Sequence, residues 1–441
     1  MVRGTLTRRR FLAGCATAGG ALAASACGWP AQGFGLAAPS GGVLTYWNLF
    51  GGGDGVRMVA MQDAFGRQRP DISLDATTLT WGNPYYTKLS MATLGGAPPD
   101  VAIMHLARMP QLAPAGLLRP LSDDELARHG MSAQDFAPNP WQQSHSNGRL
   151  YAIPLDTHPF TLYYNTDVGR KAGLLADDGS LLPLTSPGAL LAAFDAARRV
   201  TGQFGLAIST ANDPATPWRA FLTFYTQLGG EMLRDNGAGV VFDRAHALTV
   251  LEFLRELTIG RSLAPSNFDY GSTVALFASQ GAGFYWEGEW EVTTFQTARI
   301  PFDMAPFPAV FGRAAIQADS HSFVIPRLEH DDPERLDRAL IFIRSMLDQS
   351  QTWAEGGHIP AWRPTLDSAA YRALKPQAHY ASAADSVVYD PPAWYSGSGS
   401  DFEVAMGSAI AAVMNGTLGP AAGADQMLAA LERLAGTASP V

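Results

Sequence analysis

The chain predicts an α/β fold built from doubly wound sheets. Three observations carry that expectation: strand-like and helix-like stretches alternate from residue 43 onward, 47% of the 441 residues are hydrophobic, and only 16% are charged. Alternation of this kind marks βαβ units, and a chain so long and apolar can fill two cores. One stretch concentrates chemistry. Phe284 to Trp290 reads F-Y-W-E-G-E-W, with four aromatics, two carboxylates and a glycine in seven residues. Aromatic faces stack on the apolar C–H surface of a sugar, and carboxylates accept from its hydroxyls; the same run also suits a buried strand.

Residues 1–26 carry a basic patch, Thr7-Arg8-Arg9-Arg10-Phe11-Leu12, and then an apolar run that ends near Ala24. The run is too short to span a membrane as a helix, and the patch resembles a bacterial twin-arginine export signal. Of the two cysteines, Cys15 fits a lipobox letter by letter but leaves no apolar region before it. Cys27, after Ala24-Ser25-Ala26, stands at the right distance and is the expected lipidated first mature residue. The remaining chain then holds no second cysteine to form a disulfide. Residues 27–41, rich in Gly, Ala and Pro, suit a tether from a lipid anchor.

The folded body begins with the apolar run Val43 to Trp47, a strand, followed by a glycine-rich turn through Gly55. Val56, Val59, Ala60 and Phe65 recur at helical spacing, and Ile72, Leu74 and Ala76 alternate with polar residues as in a half-buried strand. A second helix is expected over Pro84 to Leu94 and a third strand over Val101 to Met104. In such a sheet ligands sit beyond the carboxyl ends of the strands, which points to Trp47, Asn48 and His105. Later helices are expected over Pro187–Val200, with Leu190, Leu191, Phe194 and Ala197 on one face, over Arg244–Ile259 and over Pro333–Leu347. The run Gly51-Gly52-Gly53-Asp54-Gly55 lies between strand and helix but lacks the third glycine of a dinucleotide fingerprint and any following Gly-Lys-Ser or Gly-Lys-Thr. A turn whose helix N-terminus offers N–H groups is expected instead.

Several motifs in order then carry a resemblance. Tyr86-Thr87-Lys88-Leu89 precedes Gly95 to Val101 (G-G-A-P-P-D-V), and Gly148 to Pro154 (G-R-L-Y-A-I-P) precedes Leu162-Tyr163-Tyr164-Asn165. Lys171-Ala172-Gly173-Leu174, Gly281 to Trp290 and Ile359-Pro360-Ala361 follow. The set is similar to family 1 extracellular solute-binding proteins of ABC importers, over roughly residues 42 to 435. The resemblance implies a two-lobed fold with three hinge crossovers, each lobe a doubly wound sheet. The first lobe would comprise 42–155 plus 319–352, and the second 156–318 plus 353–441. It also implies that Trp290 stacks on a sugar. Asp156 and His158 would face the cleft at the first crossover, or His158-Pro159 would merely shape the hinge. Trp218 would meet ligand or pack in the core, with Phe221, Leu222 and Tyr225 on its helix face. Ser320 and His321 would stand beside the ligand, or His321 would be a simple surface residue, and the aromatic loop with Tyr395 would complete the cradle or be a surface loop with one anchoring tryptophan. Trp286 stays open between core and site.

Glu287 and Glu289 are also the pair a secreted glycoside hydrolase would need, but carboxylates two apart on one strand rarely straddle a glycosidic bond. They are expected to accept from ligand hydroxyl or amino groups. The nine histidines show no H-E-x-x-H spacing, so neither a metal nor another cofactor is expected. Four arginines fall in the first 26 residues, where no acid occurs, so the rest of the chain is more acidic than the formal net charge of −9; nucleic acid is excluded as a partner on that ground. The expectation is a non-enzymatic, monomeric carbohydrate-binding lipoprotein on the outer face of the cytoplasmic membrane, serving an ABC permease. The acidic residues Asp156, Glu287 and Glu289 point to an amino sugar or another cationic carbohydrate. The export signal, the lipobox and a content of only three lysines resemble carbohydrate-binding lipoproteins of mycobacteria and related actinobacteria, including that of an amino-sugar importer.

Overall fold

The computed structural model describes residues 42–439; the export signal, the tether and Cys27 lie outside the described residues. Two sheets, each with its own core, form the frame. The first runs Ser73–Thr78, Val43–Asn48, Val101–His105, His321–Val324, Ala152–Pro154. Its first three strands are parallel, and His321–Val324 lies antiparallel to both of its neighbours. The apolar run at 101–104 fills the middle of this sheet, with every residue of Val101–His105 buried, as a strand covered on both faces must be.

The second sheet runs Val387–Val388, Ile316–Asp319, Asp156–Asn165, Ala282–Gly288, Phe204–Ala207. The ten residues of Asp156–Asn165 are all buried. Successive parts of this strand pair with Ile359–Pro360, Ile316–Asp319 and Phe302–Pro306. The chain therefore passes between sheets at Leu155, at Ser320 and in the segment leading to Ile359. The first core also takes in Trp353 and Trp362, beyond the expected boundary at 352.

Local signals account for most elements. Ser186 caps Pro187–Thr201 by accepting from Ala189 N–H, with proline in the first turn and Gly202 closing the helix at φ +71°; these are the usual start and stop chemistries. Its predicted stripe of Leu190, Leu191, Phe194 and Ala197 is buried. The helix Gly52–Gln68 corrects its predicted face. Met58, Met61 and Phe65 are buried, whereas Val56 and Val59 are 67% and 53% exposed and Ala60 is exposed too. Both sets fit helical spacing, and the larger, more adaptable Met side chains fill the interior. Ser73–Thr78 is an edge strand with little burial, so its alternation does not mark a covered face. No helix among the described residues is long and apolar enough to cross a membrane.

The crossings are joined by one side chain. Asp156, fully buried, accepts from the His321 backbone N–H at 2.8 Å, His321 Nδ1 at 2.8 Å, His158 Nδ1 at 3.1 Å and Trp353 Nε1 at 2.6 Å. Ser320 Oγ donates to the Asp156 carbonyl. Replacing Asp156 by Ala strands these donors, and charge-assisted bonds are the costly ones to lose. Urea unfolding followed by tryptophan fluorescence should show Asp156→Ala less stable by on the order of 3–5 kcal/mol, while Asp177→Ala on the exposed surface changes stability by less than about 0.5 kcal/mol.

Candidate functional site

A cavity of about 460 Å³ opens between the two sheets. From the first core's side, Phe50, the turn Gly51 to Asp54, Trp81, His105 and His321 line it. From the second come Asp213, Arg219, Tyr270, Trp290 and Glu291, with His158 at the crossing. The turn owes its place to the end of Val43–Asn48: Asn48 Oδ1 accepts from Phe50 N–H at 3.2 Å and Thr78 Oγ1 at 3.1 Å, bending the chain toward the cleft. The cavity rims touch at Asn83 Nδ2, which donates to Asp401 Oδ1 at 2.7 Å. Beside that contact, a Cβ on Gly399 would lie 2.4 Å from the Gly82 Cα.

Trp290 is half-buried at the wall. Its Nε1 donates to Tyr270 Oη at 2.8 Å, and the Arg219 guanidinium lies 4.8 Å from the ring centroid, a cation–π contact. Gly288 serves this ring rather than the ligand. A Cβ there would lie 1.8 Å from a Trp290 ring carbon.

The predicted residues divide sharply. His105, His158, His321 and Trp290 reach the cavity together. Asp156 and Ser320 lie behind it as the hinge bonds described above. Glu287 is a correction: its carboxylate is 1% exposed and taken up by Arg219 at 2.9 Å, by Thr216 Oγ1 and by the Gly288 N–H. Burial raises it to about 7 against the pull of Arg219, and Arg219 is held above its ordinary value because Glu287, Glu403 and Asp213 outweigh burial. Glu289 is fully buried and away from the cavity wall, its oxygens without hydrogen-bond partners, and burial pushes it well above the usual carboxylate range. Neither glutamate can flank a bound sugar, which removes the carboxylate pair of the hydrolase alternative.

Three further expectations, Trp47, Asn48 and Tyr395, are corrected, and the alternatives left open at Trp218 and Trp286 resolve as core. Trp218 is core, its Nε1 donating to Asp390 Oδ1 at 2.9 Å. Trp286 is core, packed between Phe194, Phe224 and Phe307. Tyr395 turns inward and donates to the Gly237 carbonyl at 2.7 Å. Trp47 packs at the edge of the first core with Lys88 5.2 Å from its ring centroid, and Asn48 is buried outside the cavity lining with its Oδ1 taken up by the turn.

Sequence reasoning passed over Asp54, Trp81, Asp213, Arg219, Tyr270 and Glu291. Asp213 had a legible signal, standing before a proline at a helix start, where its Oδ1 accepts from Ala215 and Thr216 N–H. Asp54 has one carboxylate oxygen without a partner, and burial, Asp156 and Glu291 raise it well above the usual range. His105 is held well below its ordinary value by burial and the neighbouring histidines, and His158 is lowered to about 4 by burial and His321. Both are neutral near pH 7.

Residues 52–328, more than half the chain, match the family of bacterial extracellular solute-binding proteins, and the chain belongs to that family. It is 27% identical over 234 residues to the arabinooligosaccharide-binding protein of Bacillus subtilis, a match that spans 51% of this chain and about half (49%) of that relative. Among solved structures it is similar to the GacH receptor of Streptomyces glaucescens, solved unliganded and with acarbose, at 18% identity and a TM-score of 0.76, covering 89% of this chain and 98% of that one. The sugar-binding protein MalE of Xanthomonas citri superposes with a TM-score of 0.73 at 20% identity, covering 89% and 97%. These neighbours establish the two-lobed α/β fold.

Gly288→Ala tests the local geometry. The added methyl must displace the Trp290 ring, an overpacking that costs roughly 1–3 kcal/mol, so the melting temperature should fall and the tryptophan emission should shift as the ring leaves Arg219.

Proposed function

We propose that this protein captures a carbohydrate between its lobes outside the cytoplasm and delivers it to an ABC permease, as a monomer held to the membrane through Cys27. The observation that carries this reading is the makeup of the cavity wall. Trp81, Tyr270 and Trp290 supply aromatic surface, and Asp54, Asp213 and Glu291 supply acceptors, drawn from both sides of the cleft. Rings serve the apolar faces of a sugar and carboxylates its hydroxyls. A ligand touching both lobes stabilises the closed form through those shared contacts, and closure gives the permease a joint surface to recognise. Binding without turnover is the role this arrangement supports.

The ligand class follows from charge. Three carboxylates line the cavity, while its one arginine is paired with Glu287. Asp54 stands out because its unpartnered oxygen faces a site where a cation would bring its carboxylate back toward the ionised form. An ammonium group on an amino sugar is such a cation, whereas a phosphate would meet like charge.

A thermal-shift panel of neutral, amino and phosphorylated sugars tests both levels, since a ligand that binds only the folded state raises the melting temperature. Amino sugars should give the largest shift and phosphorylated sugars the smallest, with no product released from any of them. Trp290→Ala should weaken the best ligand at least about fivefold, the equivalent of ~1 kcal/mol for a lost stacking ring. Asp54→Asn should erase the advantage of amino over neutral sugars while keeping neutral binding. Unchanged affinity in Trp290→Ala would overturn the carbohydrate reading, and an unchanged preference in Asp54→Asn the cationic one.

A further inference from the structure

Three histidines in the cavity wall come from distant points of the chain. His105 ends the strand Val101–His105, His158 follows the first crossing and His321 the second. One ring nitrogen from each lies within 4.8 Å of the other two. The His158 and His321 rings stack at 4.1 Å between centroids, and His105 stands 4.8 Å from His321 and 5.5 Å from His158. All three are nearly buried, yet all three line the cavity.

Their Nδ1 atoms are already engaged. Asp156 takes His158 Nδ1 at 3.1 Å on one oxygen and His321 Nδ1 at 2.8 Å on the other. A carboxylate that takes one ring nitrogen on each of its oxygens accepts from both. Both histidines then present a proton on Nδ1 to Asp156, which leaves Nε2 as the ring nitrogen that can ligate a metal. His105 Nδ1 lies 2.8 Å from Tyr86 Oη, which also accepts from the His105 backbone N–H at 3.0 Å; a metal at Nε2 selects the tautomer in which Nδ1 donates to that hydroxyl. A carboxylate or oxygen acceptor behind each ring, fixing tautomer and direction, is the outer arrangement that metal-ligating histidines use.

We propose that His105, His158 and His321 bind a divalent transition-metal ion of the zinc class, with its fourth position open to the cavity. Three imidazole nitrogens suit zinc, cobalt or copper and do not suit calcium or magnesium, which take oxygen ligands. Zn–N bonds of about 2.0–2.1 Å in a tetrahedral site bring ligand nitrogens to roughly 3.3 Å from one another, so the rings close in slightly on binding. Asp156 behind the rings supplies negative charge to offset the ion. The fourth position would hold water or a ligand hydroxyl, which makes the ion a contact for whatever the cleft captures. The H-E-x-x-H test could not reveal this set, because its members are 53 and 163 residues apart, as 158 − 105 and 321 − 158 give.

The test uses the purified full chain without an affinity tag, stripped with chelator. Zinc titrated by calorimetry should bind at one ion per chain, and cobalt should give the intense visible bands of a four- or five-coordinate ion. His158→Gln and His321→Gln should each weaken zinc by about 100-fold or more, Asp156→Asn by about 10–100-fold, and His129→Gln, outside the cavity, should have no effect. X-ray absorption at the zinc edge of the unaltered protein needs no variant to fold and should report three imidazole nitrogens. Absence of a stoichiometric ion, an ion held by other donors, or zinc binding that survives both histidine variants would overturn the proposal. Sugar binding is measured separately in chelator; its persistence where zinc fails to bind would overturn the metal site and leave carbohydrate capture standing.

Discussion

The interaction on which this structure depends is the buried carboxylate of Asp156. A charge taken out of water is tolerated only when donors surround it, and here they come from His158 beside it, from His321 on the second crossing and from Trp353 at the approach to the third. Satisfying one anion therefore aligns three separate chain passages. The same bonds decide which nitrogen of His158 and His321 faces the cavity. Hinge and site are consequently one electrostatic unit, and the site's chemistry is set from behind rather than by the residues that line it.

The fold was largely legible because its signals are local. Caps, proline at first turns and apolar stripes place helices such as Pro187–Thr201 without tertiary information. Where two stripes fit one helix, as with Val56/Val59 and Met58/Met61, spacing alone could not choose between them.

The site was only partly legible, for geometric reasons. Consecutive helix residues point about 100° apart, so Trp218 enters the core while its neighbour Arg219 faces the cleft; the aromatic spacing alone left both readings of Trp218 open. In Ala282–Gly288 every residue is buried, so alternation along the strand could not separate Glu287 and Trp286 into cleft and core. The acids were rightly noticed but wrongly placed: Glu287 is occupied by Arg219, and the cavity's carboxylates are Asp54, Asp213 and Glu291. The histidines at 105, 158 and 321 were found one by one, and only the strand pairings that set His321 opposite His105 and Asp319 opposite His158 show that they meet.

At the rim, a Cβ on Gly399 would lie 2.4 Å from the Gly82 Cα, so Gly399 has no space for a side chain and the cleft edge there is backbone against backbone. Rotamer changes, which take picoseconds to nanoseconds, cannot widen such an edge; only the slower movement of one lobe against the other can. Passage across that edge is thereby tied to movement of one lobe against the other.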